Sequence, residues 1–193
     1  AAGDENRAAR QEAELLLVQG AAKSGHYQQA LDNLGSPDQY EYVEPSYIQA
    51  LRLGLLEKTG EDEEQIARVR QELEALGGQD AKHYPIAAFV AFKIFQDYEQ
   101  AAAWMEKRRE ARRMAIREED PAPPPEIDLQ GAVVLAQSYA ELGSWEEIRD
   151  QGLLEMIRQK PQTRYARELA YGIAAEIAEA AAEAGADVSE AQP

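Results

Sequence analysis

Residues 132–161 read AVVLAQSYAELGSWEEIRDQGLLEMIRQKP. An apolar helical run ends at Gly143-Ser144, a second run starts at Trp145, and Pro161 stops it. Gly just past one helix and Pro at the end of the next punctuate a helix-turn-helix hairpin. Three earlier stretches carry weaker copies. Gly25, Gly60, Gln96 and Gly143 each divide two apolar runs, at separations of 35, 36 and 47 residues. The last interval holds the insert Asp-Pro-Ala-Pro-Pro-Pro, residues 120–125. Three prolines in succession exclude helix and predict a stiff, extended connector. Without that insert the period stays in the mid-thirties, as expected of a stack of helical hairpins. One hairpin cannot bury its own apolar face, so its neighbours must cover it.

The whole chain agrees with helix. It has 193 residues, enough for a sizeable core, with 45% apolar residues, many of them Ala, and few β-branched runs. Nine helices are expected, over about 4–24, 27–34, 45–58, 63–76, 85–95, 98–119, 128–142, 145–160 and 163–184. Asp4 suits the N-cap of the first, and Pro45 and Pro85 suit helix openings. Gly77-Gly78 is expected to end the fourth. Ala13, Leu16, Leu17 and Gly20 fall at helical spacing in the first helix, widened by Leu15 and Val18. Ile86, Phe89, Val90, Phe92, Ile94 and Phe95 make residues 85–95 apolar nearly all round, which predicts the most buried helix. Leu169, Ile173 and Ile177 mark the apolar face of the last.

The residues around the turns resemble the tetratricopeptide repeat. Leu135, Ala136, Tyr139, Gly143, Trp145 and Ile148 fill that family's positions, with Pro161 close to its terminal Pro. Gly25, Tyr27 and Ala30 match the first turn, Leu53-Gly54 the second hairpin, and Tyr98 with Ala101 the third. Val18 and Phe89 stand where the family prefers small residues, Ile148 replaces another, and Gln96 replaces a turn Gly. The resemblance implies an all-α, right-handed helical-hairpin solenoid. It would have about four hairpins (4–34, 45–76, 84–119 and 128–160) and a C-terminal capping helix over 163–184. The expected layout is one domain over 1–186 with a disordered tail over 187–193.

Chemistry is hard to find. The chain has no Cys, which excludes disulfides, thiolate ligands and Cys nucleophiles. Its two histidines, His26 and His83, are 57 residues apart and belong to no metal-binding motif. No phosphate loop or nucleophile elbow is present. The acidic runs lie at helix starts or in loops, where helix dipole and solvation account for them. No enzyme activity, metal or cofactor is expected. The net charge of −16 opposes binding to nucleic acid, and no apolar run is long enough to insert into a membrane.

The expected function is therefore protein binding, by an adaptor or assembly subunit that holds a partner peptide or helix. The resemblance implies a concave groove lined by the first helix of each hairpin. Its residues would be Gln19 and Lys23, Arg52, His83 and Lys93, and Gln130, Gln137 and Glu141. Two departures from the repeat add candidates. Residues 107–117, KRREARRMAIR, form a basic stripe with Arg108, Arg109, Arg112 and Arg113. A loop with Tyr40, Tyr42 and Tyr47 is rich in a residue favoured at binding surfaces. The alternatives are self-assembly into homo-oligomers through the same surfaces, or a helical domain that binds a small ligand. The Ala-Ala start and the lack of Cys lean toward an exported, periplasmic protein over a cytoplasmic one.

Overall fold

The computed structural model describes residues 2–60, 63–118, 128–159 and 164–188. Among them the chain is helical throughout, with ten α-helices and no strand. They are α1 (Ala2–Lys23), α2 (Tyr27–Asn33), α3 (Pro45–Thr59), α4 (Glu63–Gln79), α5 (His83–Val90), α6 (Tyr98–Glu118), α7 (Leu129–Glu141), α8 (Trp145–Asp150), α9 (Leu153–Gln159) and α10 (Arg164–Glu183). A 3₁₀ turn, Pro37–Gln39, lies between α2 and α3, and a π-helical turn, Ala91–Phe95, extends α5. The Pro-rich connector, the Pro161 stop and the last five residues lie outside the described residues.

The four expected turn residues share one backbone conformation. Gly25, Gly60 and Gly143 have φ of 78°, 70° and 68°, and Gln96 takes the same left-handed conformation at φ 52°. Gln96 is the one non-Gly residue at positive φ among those described. That conformation brings Cβ close to the following carbonyl in any residue but glycine.

The chain forms two compact units, Ala1–Gln96 and Asp97–Pro193. The boundary falls at the Gln96 turn, so the two arms of the third expected hairpin belong to different units.

In the first unit α3 is the hub. It packs against α2, α4, α5 and the 3₁₀ turn, and Ile48, Leu51, Leu53, Leu55 and Leu56 have no exposed surface. Each such side chain contributes about 1.5–3 kcal/mol through burial. This corrects the expectation that residues 85–95 are the most buried. Phe89 is 42% exposed, and Ile86 and Phe92 are half-buried, because α3 has neighbours on more sides. α1 packs on α2 and also on residues 91–95. A linear stack needs no such contact between first and third hairpins.

Two glycines mark close approaches. A Cβ at Gly54 would overlap the Phe95 ring, and one at Gly77 would overlap the Tyr84 ring. Gly77 therefore does not end α4 as expected. It sits buried inside the helix, which runs on to Gln79.

In the second unit α7 is central, packed on α6, α8, α9 and α10. Ala132, Leu135 and Ala136 are fully buried beside Ile148, Leu153 and Ile157. The helix expected over 145–160 is broken at Gly152, φ 61°, into α8 and α9.

Three further expectations are corrected. α1 begins at Ala2, so Asp4 lies within the helix. α1 buries Gln11, Leu15, Val18 and Ala22, and turns Leu16 and Leu17 to solvent. α10 buries Ala170, Ala174, Ile177 and Ala181, and leaves Leu169 56% exposed. α10 places mainly alanines inward, because Ala permits a closer approach of helix backbones than Leu does.

Candidate functional site

The loop between α2 and α3 is held from three directions. The Gln11 side chain donates to Gln39 O at 2.8 Å and accepts from the Tyr42 amide at 3.3 Å. Arg52 donates to Gly35 O at 2.6 Å, and the Tyr40 hydroxyl accepts from the Gly35 amide at 3.1 Å. An exposed Arg7–Glu41 ion pair at 3.2 Å adds little, as surface pairs do. Loops with this many side-chain anchors on backbone are pre-organised, which lowers the entropy lost on binding.

The three tyrosines of this loop divide their roles. Tyr40 is buried and structural, while Tyr42 is 46% exposed. Tyr47 is half-buried on α3, and burial raises its hydroxyl above the usual range. Tyr42 stands with Glu41, Val43, Glu44 and Pro45 around an open concavity of about 340 Å³. Asp80 and Glu44 both approach Lys82, at 3.5 and 3.9 Å. Asp80 is held below the usual carboxylate range by the Lys82 amide and then by the Lys82 charge. A second recess, about 270 Å³, is lined by Leu31, Leu34, Arg52, Leu56 and Gln65.

The expected groove residues of this unit are scattered in character. Lys23 is exposed and Gln19 half-exposed on α1. Lys93 is exposed, with its ammonium 4.6 Å from the centre of the Phe92 ring. His83 is no groove residue. It is buried, with Nδ1 2.9 Å from the hydroxyl of fully buried Ser46, and the pair ties the start of α5 to the start of α3.

The basic stripe of the second unit is turned largely to structure. Arg108 is buried, and its guanidinium grips both carboxylate oxygens of Asp128 at 3.0 and 2.6 Å. Arg109 donates to Gln151 at 2.8 Å and lies 3.6 Å from Glu106. Glu106 also accepts from the Tyr139 hydroxyl at 3.1 Å. Burial, then the charges of Glu106 and Glu147, raise that hydroxyl against the opposing hydrogen bond from Gln151. Arg112 is half-exposed and Arg113 exposed. On α7, Gln130 and Glu141 are exposed and Gln137 half-exposed.

Sequence reasoning missed the anchoring roles of Gln11 and Arg108. A polar residue at a core position of α1 was the available signal for Gln11, because buried side-chain amides need partners. The Arg108–Asp128 pairing had none, since it spans the Pro-rich insert.

Among the described residues no three His, Asp or Glu side chains gather to hold a metal. No described helix is long and apolar enough to cross a membrane. No protein-family model, curated protein or solved structure matches the chain.

Proposed function

We propose that this chain is a protein-interaction module, an adaptor or assembly subunit made of tetratricopeptide-like hairpins stacked as a solenoid, and that it holds a segment of another protein. The carrying observation is the braced loop. It presents Tyr42 beside Glu41 and Glu44 over an open concavity, with its backbone tied down by Gln11 and Arg52. A tyrosine combines large contact area with few rotatable bonds, and two flanking carboxylates select a Lys- or Arg-bearing segment. The partner is thus a basic peptide or helix end.

Photo-crosslinking from position 42 tests this. The expected result is one dominant adduct in extracts of the native source, competed away by excess unlabelled protein. Glu41→Lys combined with Glu44→Lys should abolish it. An adduct pattern that is diffuse, or indifferent to both charge reversals, overturns the reading.

A further inference from the structure

The outward face of α1 carries a pattern that nothing in the fold of the first unit uses. Leu16 and Leu17 are 59% and 72% exposed. Exposed Ala13 and Gly20 flank them, and a Cβ built on Gly20 would meet no atom within 4 Å. These positions follow the i, i+3, i+4, i+7 spacing that a helix buries against another helix.

The order small, large, large, small reads the same in both directions about the midpoint between Leu16 and Leu17. Ala9 and Ser24, both exposed, extend the symmetry by a turn at each end. A stripe symmetric about its own midpoint matches a second copy running antiparallel across a two-fold axis. Leu16 then meets the second copy's Leu16 on one side of the midline, Leu17 its Leu17 on the other, and Ala13 meets its Gly20. Small residues at both ends let the helices approach while the leucines fill the centre.

Charge agrees with that direction. A two-fold axis at the midpoint brings the same flank of each helix together, with its order reversed. Glu12 and Lys23 are exposed and share a flank at helical spacing. At 1.5 Å rise per residue, Glu12 of one copy lies within about 3 Å, along the axis, of Lys23 of the other. Symmetry makes the pair twice. A parallel two-fold pair brings opposite flanks together, so Glu12 and Lys23, which share one flank, would not meet.

We propose that α1 is the contact of a symmetric antiparallel homodimer centred on Leu16 and Leu17. One helix pair covers less than the roughly 800 Å² per partner of a standard interface, so the association is weak and concentration-dependent. The contact uses no residue of the braced loop and stands apart from the reading of that loop.

Sedimentation equilibrium of the full chain, from about 10 µM to about 1 mM, spans the affinity of such a contact. The mass should rise from 21.4 kDa toward twice that value. Leu16→Glu should stay at 21.4 kDa throughout, with unchanged helical circular dichroism. Leu17→Gln provides a second, milder disruption. Glu12→Lys and Lys23→Glu should each weaken association about fivefold. Combined, they should restore it. A mass of one chain at every concentration overturns the proposal. So does a rise that Leu16→Glu does not affect, or a charge-swapped double variant no better than either single one.

Discussion

Arg108 and Asp128 form a two-pronged ion pair, and the same carboxylate caps α7 by accepting from the Gly131 amide at 2.8 Å. The arginine side chain is 8% exposed and the aspartate side chain 42%. One residue thus ends the exposed backbone of a helix and neutralises a buried charge. Removing it does both kinds of harm. Asp128→Ala should cost about 2–3 kcal/mol, below the full penalty for breaking a buried pair because Asp128 is partly wet. Urea unfolding measures this. Arg108→Ala should cost less when made in the Asp128→Ala background than when made alone, and equal costs in both backgrounds would deny the coupling.

Acid should loosen the same junction. Partial burial raises the Asp128 carboxyl, but hydrogen bonds from Arg108 and Gly131 and the charges of Arg108 and Arg112 outweigh it. The folded-state value is therefore depressed from 3.8. A depressed carboxyl contributes stability that is complete above its unfolded value and disappears as pH falls through the folded one. Stability should decline below about pH 4. In the Asp128→Asn variant the decline should be shallower, and parallel acid-unfolding curves would show that this carboxylate is not responsible.

Neighbouring glycines in α4 should answer to alanine with opposite signs. At Gly77 a Cβ overlaps the Tyr84 ring, while at Gly78 nothing lies within 4 Å. Gly77→Ala should destabilise by about 1–3 kcal/mol through overpacking. Gly78→Ala should stabilise by up to about 1 kcal/mol, the ordinary gain in helix propensity. Thermal unfolding of the two variants separates them, and shifts in the same direction would contradict the packing.

Gln96 should be improved by the residue that the other turns use. Its φ of 52° brings its Cβ toward the following carbonyl, a cost that glycine lacks. Gln96→Gly should raise stability by about 0.5–1 kcal/mol after allowing for glycine's greater unfolded entropy. A loss of stability would mean that the side chain makes a contact worth more than the strain.

The turns were legible because they are local. Gly25, Gly60 and Gly143 sit where a left-handed residue must end one helix, and sequence shows that directly. Pro45 and Asp128 mark helix starts for equally local reasons, one lacking an amide proton and the other supplying an acceptor. The faces were not legible to the same degree. In α1 Leu16 and Leu17 are outside while Leu15 and Val18 are buried, and in α10 alanines face inward, because a helix with apolar residues on several sides has more than one candidate face.

The candidate site divides along the same line. Clustering of tyrosines and of arginines was visible, yet clustering does not say which members are spent on the protein itself. Tyr40 and Arg108 are buried and hydrogen-bonded within the chain, whereas Tyr42 and Arg113 reach solvent. That sorting depends on neighbours tens of residues away.

Sequence by itself determined the helical class, the turns at Gly25, Gly60, Gln96 and Gly143, and the scarcity of reactive side chains. These follow from backbone conformation and residue chemistry, which act within one turn of helix. Only the tertiary structure decided that α3 and α7 are the hubs, that the Gln96 turn divides two units, and that Leu16 and Leu17 face outward. Those outcomes depend on which faces pack most closely, a competition among all the helices at once.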